Sequence, residues 1–342
     1  MELALYEPEH GYYERRRRPP GRAGDYYTSV SVGSLFGELL AFAFAGWSAG
    51  LRAEPLQLVE AGAHAGQLAA DILEWLRGQR PELFGRTEYW IVEPSPNRRA
   101  WQAETLAGWG GVVRWASGWE AFAPGKVKGI IFANELLDAL PVHRLGWDAG
   151  LGRWFEWGVT MDGDRFTWVR LPWDSSAGGA AAYAAHFPSA AALALLPDGF
   201  TTEICPAAVC WWQAAARALA AGKLMTLDYG QEAQDFFSPE RAPGTLRAYR
   251  EHHLAGDILA DPGEQDLTAH VDFTLIRAAG EAAGLRTEGR LTQEQWLTEI
   301  ARQTWAAPAD FPPWTPARLR QLRTLTHPEH LGRAFQVLIQ AR

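Results

Sequence analysis

The sequence predicts an α/β fold, a doubly wound and mostly parallel sheet that is interrupted by an inserted segment. Residues 56–145 alternate short apolar runs with stretches of helical spacing, which is typical of parallel strands joined by helices. Residues 146–200 instead carry short alternating segments punctuated by tryptophan, which indicates a β-meander. Beyond residue 200 the α/β pattern returns, so we expect one core on both sides of an insertion.

The first half of the core alternates strands and helices in a regular order. LQLVEAG at 56–62 is a short apolar strand that ends in an acid and a glycine, and GQLAADILEWLRG at 66–78 has helical spacing. YWIVEPS at 89–95 is the next strand, after which Ser95 is placed to cap a helix whose first position is Pro96. Two further strands are predicted, VVRWAS at 112–117 and KGIIFANE at 128–135.

The second half of the core begins with a helix predicted over 206–222 and ended by Gly222, followed by a buried strand over 223–230. A helix over 271–284 and a last strand over 335–340 complete it. We therefore expect three parts: an N-terminal segment (1–50), a Rossmann-like core (51–145 and 200–342) and the insertion (146–199).

The composition indicates an ordinary globular protein. The chain has 342 residues, 47% of them apolar and 21% charged, and its 32 Lys and Arg against 40 Asp and Glu give a net charge of −8. The apolar content excludes wholesale disorder. The negative net charge argues against a general nucleic-acid binder, which needs clustered cations. No apolar run reaches the ~18 residues that a membrane-spanning helix needs. Cys205 and Cys210 cannot build a disulfide framework, so a reducing, cytoplasmic compartment is expected.

The first candidate site follows the strand at 56–62. Gly62 and Gly66 lie in the turn before the next helix, where a side chain would keep a ligand away from the backbone and where the helix N-terminus favours negative groups. Glu60 at the strand end can hold an ammonium group, and Glu93 at the end of the second strand can accept hydrogen bonds from ribose hydroxyls. The pattern predicts a cofactor that carries adenosine, and packing of helix on strand is the alternative reason for the glycines.

His64 separates this turn from a dinucleotide fingerprint, since the pattern G-x-G-x-x-G requires glycine at that position. A nicotinamide cofactor is therefore disfavoured. The side chain of His64 can be a general base, a cofactor contact or a solvent-exposed turn residue, and the sequence leaves these alternatives open.

The second candidate site follows the strand at 128–135. Asn134, Glu135 and Asp138 stand in the segment FANELLDALPVHR, where two carboxylates can orient a cationic substrate through charge-assisted hydrogen bonds. Acidic residues that favour the dipole at a helix N-terminus are the alternative, and the residues alone leave both interpretations open.

Three further segments can carry function or only structure. Thr28 begins a predicted cap and loop before an apolar helix, and Arg15–Arg18 form either a solvated loop or a contact for an anion or a partner. Asp266, His270 and Asp272 stand close together, but their spacing fits no metal-binding motif, so no metal site is expected.

Taken in order, these motifs resemble the MidA-like family of S-adenosylmethionine-dependent methyltransferases over nearly the whole chain. The matching segments are LYEPEHGYY (5–13), GDYYTS (24–29), FGELLA (36–41), LVEAG…G.L..DIL (58–73), VEPSP..R..Q (92–102), FANELLDALPVHR (132–144), EICP (203–206), LDYG (227–230), GTLRAYREH (244–252) and DPGEQDLTAHVDFT (261–274). So many matches in one order are more specific than any single motif. Mitochondrial members of this family are assembly factors of respiratory complex I and methylate a protein arginine.

The resemblance implies a class I methyltransferase sheet and S-adenosylmethionine as the cofactor. It places the cofactor at the Gly62–Gly66 turn, with Glu60 and Glu93 beside it. The turn at Ser117 would lie near the adenine, and the GDYYTS loop, which includes Thr28, would close over the cofactor.

For the acceptor, the resemblance implies that Asn134, Glu135 and Asp138 face the methyl group and the substrate. The substrate would be an arginine-like side chain of a protein similar to a respiratory-complex subunit. Glu135 would hold the guanidinium and Asp138 would support it.

This sequence departs from the family at the glycine turn. The family usually has E-x-G-P-G-x-G, and in this chain His64 replaces the central glycine between Glu60 and Gly66. The resemblance places His64 beside the cofactor, where its β-carbon would crowd the cofactor or require an unusual backbone angle. Members also usually carry a segment before the LYEPEHGYY motif, so a helix is expected to be missing from the start of this chain.

Three alternatives to a protein methyltransferase stay open at the level of the sequence. A methyltransferase fold that has lost catalysis could act as an assembly or binding factor. A small-molecule methyltransferase could use the tryptophan-rich insertion to enclose its acceptor. A nicotinamide oxidoreductase is the least favoured, because the glycine spacing is wrong.

Overall fold

The computed structural model describes residues 1–15, 28–173, 183, 185–251 and 253–342. Contacts divide the chain into two compact units, each built from separate stretches of sequence. Within the described residues, unit 1 takes in 1–15, 137–212 and 229–279, and unit 2 takes in 28–136, 213–228 and 280–342.

Both units combine strands and helices. The strands are β1 (Leu56–Ala61), β2 (Thr87–Val92), β3 (Val113–Ala116), β4 (Val127–Asn134), β5 (His143–Asp148), β6 (Arg153–Asp162), β7 (Arg165–Pro172), β8 (Thr201–Ile204), β9 (Leu219–Gln231), β10 (Arg247–Arg250), β11 (His253–Leu254), β12 (Asp266–Thr268), β13 (Val271–Asp272), β14 (Arg286–Thr292) and β15 (Phe335–Ala341). The helices are α1 (Glu2–Tyr6), α2 (Leu35–Ser48), α3 (Gln67–Gln79), α4 (Pro81–Gly85), α5 (Pro96–Thr105), α6 (Ala190–Leu193), α7 (Pro206–Ala218), α8 (Phe273–Ala282), α9 (Gln293–Ala306), α10 (Pro316–Leu325) and α11 (Leu331–Ala334).

The centre of unit 2 is a sheet with the strand order β14-β15-β9-β4-β1-β2-β3. The pairs β1–β2, β1–β4, β2–β3 and β4–β9 are parallel, whereas β14 and β15 are antiparallel. Nearly every residue of β1 and β4 is buried, as their continuous apolar runs predict for strands covered on both faces. The predicted α/β fold with a mostly parallel sheet is confirmed.

Local sequence signals set the helices that flank this sheet. Leu68 and Ile72 of α3 are buried, in agreement with the helical spacing of its apolar residues. The side chain of Ser95 accepts a hydrogen bond from the backbone N–H of Arg98, and Pro96 occupies the first turn of α5. The predicted cap of this helix is therefore confirmed.

The prediction that a helix ends at Gly222 is wrong. Helix α7 already ends at Ala218, and β9 starts at the next residue, so Gly222 lies inside a strand with a φ of +123°. A β-carbon on Gly222 would stand 1.8 Å from the carbonyl oxygen of Gly129 in β4. Close approach of two strand backbones, and not the end of a helix, is the reason for this glycine.

Unit 1 carries two sheets, with the strand orders β7-β6-β5-β8 and β11-β10-β12. The first is antiparallel throughout and contains the predicted meander, with Trp147, Phe155 and Phe200 buried. The small-residue stretch at 175–185, expected as a loop that leads into a helix, lies outside the described residues apart from Tyr183 and Ala185.

The predicted division into N-terminal segment, core and insertion stays a prediction. Contacts group segments by proximity in the folded chain, and they do not identify which segment was inserted into which. Across the part of the chain that the structure describes, no helix combines the length and apolarity needed to cross a membrane.

Candidate active site

The turn between β1 and α3 contains three residues with a left-handed backbone. Gly62, His64 and Gly66 have φ angles of +76°, +45° and +87°. A β-carbon on Gly62 would come 3.0 Å from the side chain of Leu136, and one on Gly66 would come 3.1 Å from that of Leu106. Packing therefore explains part of the glycine pattern. Because α3 begins directly after a glycine, no side chain at that position caps its first N–H groups, which suits a negatively charged ligand group.

His64 confirms the unusual backbone angle expected where the family has glycine. Its carbonyl oxygen accepts a hydrogen bond from Gln102 Nε2 at 3.0 Å, which fixes the strained turn. Burial, and then the positive charge of Arg98, lowers the pKa of His64 to about 4. The imidazole is therefore neutral at pH 7, and its low basicity argues against the general-base alternative.

Glu60 is a buried carboxyl group at the carboxyl end of β1. Only 2% of the residue is exposed, and its Oε2 accepts a hydrogen bond from the hydroxyl of Tyr89 at 2.7 Å. Burial raises the pKa of Glu60 to about 7, and the hydrogen bond from Tyr89 opposes that rise. A bound ammonium group would favour the ionised form, so the site suits the role predicted for Glu60.

Glu93, at the end of β2, is held by several partners. Its Oε1 accepts a hydrogen bond from the backbone N–H of Ser95 at 3.0 Å, and its Oε2 accepts one from Gln102 Nε2 at 3.1 Å. Arg98 Nε lies 3.0 Å from Oε1. A carboxylate can accept about four hydrogen bonds, so a ribose hydroxyl would share Glu93 with these groups.

Gln102 is a central residue that the sequence analysis did not select. It is fully buried, and its side-chain nitrogen donates to both Glu93 and the carbonyl of His64. Its side-chain oxygen accepts a hydrogen bond from Trp115 Nε1 in β3 at 3.0 Å. Ser117, the predicted adenine contact, follows β3 directly and is exposed.

Asn134 and Glu135 stand side by side where β4 ends. Asn134 Nδ2 donates a hydrogen bond to Glu135 Oε1 at 3.1 Å, and the backbone N–H of Ser29 donates to the same oxygen at 2.9 Å. Glu135 has a φ of +52°, a strained angle that is frequent at functional sites. Asn134 Oδ1 is buried, and no donor among the described residues reaches it.

Thr28 closes the short turn that brings Ser29 to Glu135. The backbone N–H of Thr28 donates to Ser31 Oγ, and the N–H of Ser31 donates to Thr28 Oγ1, both at 3.1 Å. Residues 24–27 of the GDYYTS motif lie outside the described residues. Closure of that loop over the cofactor stays a prediction.

Asp228 is a second buried residue that the sequence analysis did not select for the site. It lies near the end of β9, fully buried, and its Oδ2 accepts a hydrogen bond from the backbone N–H of Leu136 at 3.1 Å. The available signal was the motif LDYG at the end of a predicted strand, since strand ends carry the ligands of parallel sheets.

Asp138 belongs to unit 1. It is 6% exposed and lies in the short helical turn Leu137–Ala139. Its carbonyl oxygen accepts a hydrogen bond from the backbone N–H of Ala269 at 2.9 Å. The supporting role predicted for its carboxylate stays a prediction.

Asp266 and Asp272, which the sequence places close to His270, each contact a different side chain. The hydroxyl of Tyr13 donates to Asp266, and Asp272 Oδ2 lies 2.7 Å from Nδ1 of the buried His186. Among the residues with described positions, no three His, Cys, Asp or Glu side chains are grouped so that they could hold a metal ion.

Within the arginine run, only Arg15 is described. Its guanidinium donates to Glu264 Oε1 at 2.6 Å and to the carbonyl oxygen of Gly263, so this residue is bound to the chain's own acceptors. Residues 16–18 lie outside the described residues.

The parallel sheet of unit 2, the left-handed turn after β1 and the acids at the strand ends together define an α/β enzyme of the class I methyltransferase type. Residues 39–291 match a family of S-adenosyl-L-methionine-dependent methyltransferases, and the chain belongs to that family. Its cofactor is S-adenosylmethionine. The fold, enzyme class and cofactor predicted from the sequence are confirmed.

Individual relatives agree with this assignment. The mitochondrial protein arginine methyltransferase NDUFAF7 of Danio rerio is 28% identical over 98% of this chain and 81% of its own length. Human NDUFAF7 is 29% identical over 88% of this chain and 68% of its own length. A Burkholderia thailandensis structure bound to S-adenosylhomocysteine is 31% identical, with a TM-score of 0.82 over 100% of this chain and 86% of the other.

The predicted cytoplasmic location is wrong. The similar proteins from Danio rerio, Homo sapiens and Drosophila melanogaster are all named as mitochondrial. The prediction rested on the low cysteine content, which indicates the absence of a disulfide framework but does not distinguish one reducing compartment from another.

Proposed function

We propose that this methyltransferase modifies an arginine side chain of a protein and that Glu135 binds the acceptor guanidinium. The names of the similar proteins support an arginine acceptor, since they are protein arginine methyltransferases. A respiratory-complex subunit as the particular acceptor stays a prediction from the family resemblance.

The observation that carries this proposal is the pair of acceptors at the end of β4. The buried Oδ1 of Asn134 has no donor among the described residues, and the Glu135 carboxylate next to it is oriented by two hydrogen bonds. A guanidinium is a planar group with five N–H donors, so it can supply hydrogen bonds to both side chains. A buried acceptor without a partner is costly, and a guanidinium would remove that cost.

The residues of unit 2 fit the cofactor at the glycine turn. We infer that Glu60, the Gly62–Gly66 turn, Glu93, Ser117 and Thr28 hold S-adenosylmethionine. The uncapped start of α3 and the buried carboxyl group of Glu60 suit the carboxylate and the ammonium group of its methionine part. When it is bound, this cofactor supplies an electrophilic methyl group on a positively charged sulfur.

Within this proposal the chain positions the acceptor and handles one proton. Glu135 holds the guanidinium so that one nitrogen is presented for transfer, which lowers the barrier mainly by orientation. An arginine keeps its proton in water, and transfer of a methyl cation to it releases one proton from the reacting nitrogen. The Glu135 carboxylate stabilises the charge that develops there and is the proposed acceptor of that proton. The role of Asp138 in this proposal is the predicted one, which is to support Glu135.

The variant Glu135→Gln tests the role of this carboxylate, because it keeps the size and the hydrogen-bond acceptor but removes the charge. With S-adenosylmethionine carrying a labelled methyl group, we expect methyl transfer to fall at least about 100-fold. Binding of S-adenosylhomocysteine, measured by calorimetry, should stay within about twofold, since a loss of the fold would abolish both. Transfer at the wild-type rate would refute the assignment. Glu120→Gln, an exposed acid beyond β3, is the control.

The acceptor class is tested separately. The labelled cofactor is incubated with free arginine and with a desalted protein extract, and the products are hydrolysed and separated by mass spectrometry. We expect methylarginine from the protein fraction alone. Label in another amino acid would overturn the arginine acceptor, and label in free arginine alone would favour a small-molecule methyltransferase.

A further inference from the structure

Unit 1 contains two arginines whose guanidinium groups form no ion pair among the described residues. The Arg241 side chain makes no hydrogen bond with any of them, and Arg247 Nη1 donates only to two backbone carbonyls of its own loop, at 3.1 and 2.8 Å. Glu240 is next to Arg241 in the chain, but its carboxylate is exposed to solvent. Nδ1 of His270 is buried and has no hydrogen-bond partner in the described part of the chain. Each of these three side chains thus keeps at least one nitrogen without a hydrogen-bond partner among the described residues.

The loop at 243–247 follows Arg241, includes Arg247 and contacts His270. The backbone N–H of His270 donates to Thr245 Oγ1 at 3.2 Å, and the N–H and hydroxyl of Thr245 donate to Glu203 Oε2 at 2.6 and 2.9 Å. Arg144 Nε lies 3.5 Å from Glu203 Oε1, and Arg144 also donates to a carbonyl of the same loop at 3.0 Å. The loop is therefore held by hydrogen bonds from the chain itself.

The charges of this half-buried cluster do not balance. Arg144 and the 2%-exposed Glu203 offset one another, and the exposed Glu240 offsets part of the charge of Arg241, which leaves a net positive charge at Arg241 and Arg247. Burial, and then these two arginines, lowers the pKa of His270 to about 4. Like charges that share a partly buried region repel one another, and a bound anion would offset the repulsion.

We propose that Arg241, Arg247 and His270 form an oxyanion-binding site that takes a carboxylate or a phosphate group. Guanidinium groups bind these anions through paired, charge-assisted hydrogen bonds, and the imidazole can add an N–H donor. All three residues belong to unit 1, whereas Glu135 belongs to unit 2. The proposal does not depend on the proposed acceptor of the methyl group.

The site is tested by calorimetric titration of the full chain at low salt with inorganic phosphate, acetate and the dipeptide Glu-Glu. Histidine labelled with ¹³C allows the His270 signal to be followed in the same titrations. We expect binding in the millimolar range and a shift of the His270 signal. The double variant Arg241→Gln/Arg247→Gln should weaken binding at least about tenfold, because it removes two charge-assisted donors. Arg250→Gln, which removes an exposed arginine of β10 that is paired with Asp261, should change it less than about twofold.

The relative affinities distinguish the sources of the anion. Tightest binding of Glu-Glu would support the site and indicate an acidic peptide, and tightest binding of phosphate would support it with a phosphoryl group as ligand. The proposal is overturned if no probe binds or if Arg250→Gln weakens binding as much as the double variant does. Circular dichroism checks the fold. If the double variant does not fold, the same titrations are made with Arg247→Lys, which keeps the charge and loses the paired geometry. Binding as tight as in the wild type would then overturn the proposal.

Discussion

Glu60 makes the stability of the protein depend on pH. Its pKa is about 7 in the folded chain against an ordinary value of 4.5, so the folded state keeps a proton that the unfolded state releases. The contribution of Glu60 to the free energy of unfolding should therefore fall by about 3 kcal/mol as the pH rises from about 4.5 to above 7, whereas the neutral His64 and His270 contribute in the opposite direction between about pH 4 and pH 6.5. Glu60→Gln has no charge to bury and should lack this decrease. Urea denaturation without ligand at about pH 5 and about pH 8 measures it.

The matched control is Glu54→Gln, which changes an exposed acid just before β1 and should keep the wild-type pH dependence. A pH dependence that is the same in Glu60→Gln as in the wild type would show that burial of this carboxyl group does not contribute to it.

Single residues show where prediction from the sequence succeeds and where it ends. Glu60, Glu93 and Glu135 could be selected because each follows a recognisable strand, and strand ends meet at one edge of a parallel sheet. Gln102 could not be selected, since its importance comes from three contacts that exist only after α5 has packed against the turn and β3. The positive φ of His64 was foreseeable only through the glycine that the family has there.

Strand β9 contains a glycine at a position that cannot accommodate a β-carbon without a shift of the backbone. Gly222→Ala would place a β-carbon 1.8 Å from a carbonyl oxygen of β4, so the pairing of the two strands must shift. We expect the free energy of unfolding to fall by about 3 kcal/mol or more, as for other strained backbone positions. Gly289→Ala in β14, where a β-carbon meets nothing within 4 Å, should change it by less than about 0.5 kcal/mol. Urea denaturation of both variants measures the difference, and equal effects would contradict the prediction.

The same region shows why element boundaries are difficult to predict. The small residues around 214–222 have good helical propensity, and propensity alone extends the helix to the next glycine. Pairing with β4 overrides that preference from Leu219 onwards, because a strand position there completes a buried sheet. The cap at Ser95 was predictable since it depends on residues that are close in sequence.

For the molecule as a whole, the net charge of −8 should favour encounter with a cationic acceptor. If the acceptor is an arginine-containing protein, kcat/KM should fall several-fold between roughly 20 and 300 mM NaCl, because salt screens this attraction. The affinity for S-adenosylhomocysteine, which carries no net charge, should change less than about twofold and serves as the control. Steady-state kinetics at several salt concentrations measures the effect. An unchanged or rising kcat/KM would argue against electrostatic steering.

At this scale the fold class, the enzyme class and the cofactor were predictable, because many motifs in one order specify a family better than any physical pattern does. The cellular location was not predictable, since neither cysteine content nor charge identifies a compartment. The separate stretches that make up each unit were also beyond prediction, because they depend on contacts between residues far apart in the sequence.

The strand order of unit 2 has a consequence for synthesis of the chain on the ribosome. β15 lies between β14 and β9, so residues 335–341 fill an interior position of the sheet and not its edge. Until β15 has been synthesised, β9 and β14 lack the strand that pairs with both of them. Their backbone N–H and C=O groups on that side then remain without hydrogen bonds. The nascent polypeptide is therefore exposed to wrong pairing until residues 335–341 have been translated. A stop codon before residue 335 would open the middle of the sheet.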